Sequence, residues 1–168
     1  MLMGALLLMC GLPGAGKTTL AKRLEVERCA IRLTPDEWIL ALGLDPYDEP
    51  RRAVVEDIQW DVARRALELG TSVILDFGFW SRRERDDFRV RASALGVGFE
   101  IHFVDASRDE LLARLAARNA TAGPGDVLVD AEALDRYISW FEPPAPDELA
   151  ILGESDPPGA PRRNQPRE

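Results

Sequence analysis

The sequence predicts a three-layer α/β/α domain built on a five-stranded parallel sheet. Three observations carry this. Short apolar runs alternate with longer segments of helical period along most of the chain. The first run, ALLLMC at 5–10, is continuously apolar, as a strand covered on both faces must be. A glycine-rich turn at 11–16 then leads directly into a helical segment, a βα junction.

The elements follow in order. A helix is expected over 17–28 and a short strand at 30–34 (AIRLT). A second helix starts near Thr34. Thr34 fits its N-cap, Pro35 the first helical position and Glu37 the reciprocal capping-box position. GLDPYDEPR at 43–51 breaks it. A long helix over 52–69 presents Val55, Ile58, Val62, Ala66 and Leu69 near helical spacing, with Gly70 as its C′ residue. SVILD at 72–76 is a buried strand. Ser81 and Glu84 form a capping box for a helix to about Leu95, and 98–104 is a strand. Ser107 and Glu110 cap a helix to Asn119. Residues 120–130 are loop-like around AGPG, with a lid expected over about 119–130, and a helix runs from about Ala131 to Phe141. A weak fifth strand is expected near 149–152. The sequence thus divides into one domain over 1–153 and a proline- and charge-rich segment, 154–168, expected to be disordered.

The bulk numbers limit the function classes. The chain has 168 residues, 46% apolar, enough for one domain with a real core. Its net charge of −8 disfavours a broad nucleic-acid surface but leaves room for a local basic groove. The two cysteines, Cys10 and Cys29, read as small hydrophobes and suit a reducing, cytoplasmic compartment. His102, the single histidine, lies in the alternating run FEIHFV and reads as structural. No metal-ligand spacing is present. MLMGALLLMC lacks the basic start and cleavage site of a signal peptide and is too short to span a membrane.

GLPGAGKT at 11–18 has the spacing of a phosphate-binding P-loop, with the strand before it and helix after it that the motif requires. Glycines let successive N–H groups turn towards phosphate oxygens, and the helix N-terminus adds positive potential. Gly11, Pro13, Gly14, Ala15, Gly16, Lys17, Thr18 and Thr19 are therefore the expected nucleotide-binding residues. Lys17 would reach the β- and γ-phosphates, and Thr18 would ligate Mg²⁺.

A carboxylate on a neighbouring strand is needed beside such a loop. Asp76 ends SVILD and either holds the Mg²⁺ water shell or caps the turn into FGFW. Parallel strands open their C-terminal ends on one edge. Asp36, just after the second strand, is thereby brought to the phosphate side, where it could take the proton of an acceptor hydroxyl. Glu37 is the fallback for that role.

Arg114 and Arg118 lie four apart on the helix that enters the AGPG loop. They form either a lid over the transferred phosphate or a solvated face. Arg82, Arg83 and Arg85 read as a surface charge mixture from which one could enter the acceptor pocket. Arg51 and Arg52 are weaker candidates. Trp38, Phe77, Phe79 and Trp80 either line a cleft or pack under the following helix.

GLPGAGKTTLAKRL, TPDEW, SVILDFGFWSRRER and LLARLAARN together resemble small P-loop kinases over residues 4–150, and more narrowly the AAA_33-type ATP-binding proteins. That group is similar to the 5′-hydroxyl polynucleotide kinase domain, the zeta toxins and chloramphenicol phosphotransferase. The resemblance implies an adenylate-kinase-like fold and ATP-dependent transfer to a hydroxyl. It matches Asp36 to the acceptor-side Asp and Arg114, with Arg118, to lid arginines. It also likens FEPPAPDE at 141–148 to a segment leading to the adenine side. The leading expectation is a kinase for a small-molecule hydroxyl, with ATP and Mg²⁺. The alternatives are a 5′-hydroxyl polynucleotide kinase and a nucleotide-dependent switch that hydrolyses ATP slowly.

Overall fold

The computed structural model describes residues 4–123 and 126–149. The elements are β1 (Ala5–Cys10), α1 (Lys17–Glu27), β2 (Ile31–Leu33), α2 (Pro35–Ala41), α3 (Glu49–Glu68), β3 (Val73–Gly78), α4 (Arg82–Leu95), β4 (Gly98–Phe103), α5 (Arg108–Ala120) and α6 (Ala131–Trp140). The sheet is parallel throughout, in the order β2-β3-β1-β4. It has four strands among the described residues, where five were expected. Leu149 is not in a strand, and 150–152, the rest of the expected fifth, lie outside the described residues. So does the 154–168 segment expected to be disordered.

β1 is central, and its side chains alternate between two cores. Leu6 and Leu8 pack with Val73 and Leu75 against Ala63 and Leu67 of α3 and Ala92 of α4. Leu7 and Met9 pack with Ile74 against Ala21 and Leu24 of α1 on the other face. A third cluster joins α5 and α6 to the P-loop through Ala15, Leu111, Leu115 and Leu134. The sheet and the helices on its two faces make the three layers. Cys10 stands opposite Gly78 of β3 and Phe103 of β4, so the C-terminal ends of the strands share one edge.

Both serine capping boxes form: Ser81 with Glu84, and Ser107 with Glu110. The one at Thr34 does not. Thr34 and Pro35 occupy the N-cap and first helical positions of α2, but the Thr34 side chain makes no cap bond. Its hydroxyl instead accepts from Arg32 and donates to Asp76 Oδ2 at 3.3 Å. The Glu37 carboxylate turns to the same Arg32 guanidinium at 2.9 and 3.1 Å. A nearby guanidinium offers both oxygens stronger, charge-assisted partners than a backbone N–H.

α3 starts three residues early. The Asp48 side chain accepts from Arg51 N, and Pro50 is tolerated in the first turn, where its missing N–H costs nothing. Its buried face is Val55, Gln59, Ala63, Ala66 and Leu67, whereas Ile58, Val62 and Leu69 are exposed. Of the expected stripe only Val55 and Ala66 face inward, because Gln59, Ala63 and Leu67 carry the rest of the buried face.

Arg85 also departs from its expected place. It is not part of a surface charge mixture but is fully buried, and so is its partner Glu148. The 141–149 segment runs along α4 and the β3–α4 turn. Glu142 N donates to Trp80 O, Arg82 pairs with Asp147 at 2.6 Å, and Arg89 donates to Glu148 O. These ties hold Glu142, Asp147 and Glu148 against α4 and the β3–α4 turn, while Phe141 stacks on Phe103 of β4 with centroids 5.9 Å apart.

Candidate active site

β1 ends in a loop that only glycine can form. Gly11 has φ +149°, and a Cβ there would meet Val104 O at 2.5 Å. Gly11 N donates to Gly78 O, tying the loop to the end of β3. Gly16 has φ +104°, and a Cβ there would meet nothing within 4 Å, so the loop is open on that side.

The loop opens on a cleft of about 1310 Å³. Pro13, Gly14, Gly16, Lys17, Thr18 and Thr19 line it, together with Asp36, Asp76, Arg114 and Arg118. Gly11 and Ala15 lie behind it, Ala15 buried in the third core cluster. Ten of the residues singled out from the sequence thus share one cavity. Glu37, which pairs with Arg32, is not among its lining residues.

Three hydroxyl and carboxylate groups meet at the sheet edge. Thr18 Oγ1 donates to Asp76 Oδ2 at 2.6 Å, and Thr34 Oγ1 donates to the same oxygen. Asp76 is buried. Lys17 Nζ donates to Leu12 O at 2.9 Å. Burial lowers the Lys17 pKa from its usual value, and the carboxylates of Asp76 and Asp36 oppose that shift. Both acids are therefore within electrostatic reach of the ammonium.

These residues fit a nucleotide and a divalent cation. The loop offers an open face, a lysine with a carbonyl as its partner, and a hydroxyl–carboxylate pair at the first turn of the helix. Among the described residues no group of three His, Cys, Asp or Glu forms a protein cage. A hard cation beside Thr18 and Asp76 would complete its shell with phosphate and water oxygens.

Asp36 projects from the first turn of α2 and is largely exposed. Its Oδ1 accepts from Arg52 Nη1 at 2.7 Å, and Arg52 Nε also bonds Glu56 at 3.1 Å. Arg52 was undervalued from the sequence. Its spacing to Glu56 is a visible i,i+4 signal, but its reach to Asp36 depends on how α2 packs on α3. Burial raises the Glu56 pKa, with Arg52 opposing.

Arg114 Nη1 donates to Ala15 O at 3.1 Å and so touches the P-loop itself. Arg118 donates to Val127 O in the 121–130 loop. Asn119 binds that loop at Val129, and Leu128 N donates to the Tyr47 hydroxyl across the cleft at 3.2 Å. Phe77, Phe79 and Trp80 serve both readings offered for them. Phe77 and Phe79 pack into the core cluster, and all three line the cleft. Trp38 is a core residue. Sequence reasoning missed Trp60, Phe88 and Tyr137, which also line the cavity. His102 pairs with Glu100 at 2.9 Å, away from it. No helix among the described residues is long and apolar enough to cross a membrane.

Known structures share this architecture. A kinase candidate from Chloroflexus aurantiacus is 23% identical, with a TM-score of 0.64 over 80% of this chain and 76% of that one. A chain of the Pnkp1/Rnl/Hen1 RNA repair complex is 22% identical, with a TM-score of 0.68 over 82% of this chain. This chain spans only 44% of that one. A gluconokinase from Sinorhizobium meliloti is 19% identical, with a TM-score of 0.57 over 88% and 80% of the two chains. At these identities the likeness is one of fold, that of P-loop kinases. No curated protein matches the sequence. The AAA_33 family model, described as an AAA domain, matches residues 6–144 and so most of the chain, including the P-loop, Asp36, Asp76 and both arginines of α5; the protein belongs to this family.

Proposed function

We propose that the protein is an ATP- and Mg²⁺-dependent kinase that phosphorylates a hydroxyl of a small-molecule acceptor. The observation that supports this best is the convergence of Lys17, Thr18, Asp76 and Asp36 on one cleft at the strand ends. The fold shared with a gluconokinase agrees with it.

In this reading the P-loop amides and Lys17 hold the β- and γ-phosphates. Thr18 and Asp76 hold Mg²⁺, which neutralises charge on the phosphate oxygens. Asp36 accepts the acceptor's hydroxyl proton as that oxygen bonds to the γ-phosphorus. The bond from the γ-phosphorus to the β,γ-bridging oxygen breaks, and ADP leaves. Arg52 holds the Asp36 carboxylate towards the cleft. Arg114 and Arg118 close over the transferred group from α5, with 119–130 as the lid. The choice of ATP over GTP follows the family resemblance.

Transfer of labelled γ-phosphate to a panel of sugars, nucleosides, hydroxylated antibiotics and 5′-hydroxyl oligonucleotides tests this. Label on an acceptor, lost in Lys17→Ala and Asp36→Asn, supports the reading. Free phosphate alone, released equally by wild type and Asp36→Asn, overturns it in favour of a slow ATPase switch.

The fold shared with an RNA repair chain gives a second reading, a 5′-hydroxyl polynucleotide kinase. It requires oligonucleotide binding that weakens steeply with salt. Absence of binding at low salt removes it.

A further inference from the structure

We infer that the acceptor half of the cleft takes an alcohol bearing a planar ring and no anionic group, neutral or protonated on an amine. This rests on the kinase reading, whose site it deepens.

Two parts of the cavity lining differ in chemistry. Lys17, Arg114 and Arg118 make one part. Among the described residues none of them has a carboxylate partner; each donates to a backbone carbonyl. These cations suit a polyphosphate. The other part comes from the end of β3, the turn after it, α4 and α3. There Phe77 and Phe79 stack with centroids 5.5 Å apart and planes at 9°. Phe88 meets Phe79 edge-on at 5.0 Å, and Trp60 meets Phe88 edge-on at 5.3 Å and 89°. All four line the cavity. Trp60, Phe77 and Phe88 are half-buried and offer ring surface to another ring, with Phe79 buried behind them.

Cations on this wall are already engaged. Arg52 is held by Asp36 and Glu56. Arg91 pairs with Asp87 at 2.6 Å and lies over the Trp60 and Phe88 rings. Glu49 and Asp57 line the same side and have no ion pair among the described residues. An incoming phosphate or carboxylate would therefore meet like charge with no free guanidinium to receive it. A ring alcohol meets aromatic surface, and an ammonium on it gains both π faces and carboxylates. A sugar phosphate, or a nucleic-acid end that needs its backbone phosphates held, has no partner here.

Saturation-transfer NMR on the full chain with Mg²⁺ and a non-hydrolysable ATP analogue tests this, with the same probes assayed in parallel for phosphate transfer from ATP. The probes are 2-phenylethanol, phenylalaninol, fructose 6-phosphate and a 5′-hydroxyl oligothymidylate. Both ring alcohols should bind and both anions should not. Trp60→Ala should weaken ring binding about tenfold, and Trp60→Phe should restore most of it. Should Trp60→Ala fail to fold, the exposed Asp57→Lys decides: it should weaken phenylalaninol several-fold while sparing 2-phenylethanol. Preference for either anion, no binding of either ring alcohol, or ring binding indifferent to these substitutions overturns the inference. Transfer to an anion would do so while leaving the kinase reading intact. Ring alcohols bound but never phosphorylated, with no acceptor labelled, would overturn the kinase reading and leave the pocket assignment standing.

Discussion

Arg52 of α3 donates to the Asp36 carboxylate of α2 at 2.7 Å, joining two helices at the acceptor rim of the cleft. The pair is partly exposed, so its direct worth to stability is small, about 0–1 kcal/mol. Its proposed role is to orient the carboxylate. Arg52→Ala should lower kcat for transfer at least tenfold while changing ATP affinity less than twofold. Arg52→Lys should recover part of the loss. Steady-state kinetics with separate nucleotide titrations check this. Equal losses in kcat and ATP binding would count against the orienting role.

Asp76 Oδ2 accepts hydrogen bonds from the hydroxyls of both Thr18 and Thr34. Asp76→Asn keeps the shape but removes the charge proposed to hold Mg²⁺. It should raise the Mg²⁺ concentration needed for half-maximal ATP binding by about tenfold or more. ATP binding in the absence of Mg²⁺ should not weaken. Fluorescent-nucleotide titrations across a Mg²⁺ series separate the two effects.

Arg85 and Glu148 form a bidentate pair with both side chains out of solvent, at 2.7 and 3.2 Å. Arg85 also donates to Phe79 O in the β3–α4 turn, where Phe79 has φ +45°. Removing one partner strands the other charge in the interior. Glu148→Ala should therefore destabilise the fold by about 3–5 kcal/mol. The double substitution Arg85→Met with Glu148→Leu should lose markedly less, because no charge is left unpaired. Urea unfolding of the two variants gives the comparison.

Cys10 lies at the base of the P-loop, buried, and burial pushes its thiol up to about 11 from 9.0. Cys29 is exposed. A thiol reagent at pH 8 should modify one cysteine quickly and the second only on unfolding. The folded state holds the Cys10 proton more tightly than the unfolded state does. Its contribution to stability is thus complete below pH 9.0 and is lost as pH rises from there through about 11. In Cys10→Ser, with a hydroxyl that does not titrate in this range, that part of the alkaline decline should vanish.

Much of this molecule was legible as sequence because the signals were local. The P-loop is set by glycine conformation and by the contiguous order of strand, turn and helix. The serine caps of α4 and α5 are four-residue motifs, and they form as read. The strand runs 5–10 and 98–103 were legible from their composition and flanking turns. That Asp36 and Asp76 face one cleft followed from the single edge on which parallel strands end. Other features depend on residues far apart in the chain. Glu37 left its capping position because Arg32 was within reach. Gln59 faces inward because α3 is oriented by what packs on the sheet, and apolar spacing could not report that. Arg85 became a buried ion only when the chain returned Glu148, 63 positions further on, to it. The aromatic wall joins Trp60 of α3 to Phe77, Phe79 and Phe88 of the contiguous β3–α4 segment, and only the fold brings the two together. A sequence specifies which side chains are available and the local turns they favour. Which charges meet, and which faces turn inward, is decided by packing, where desolvation makes every unpaired partner costly.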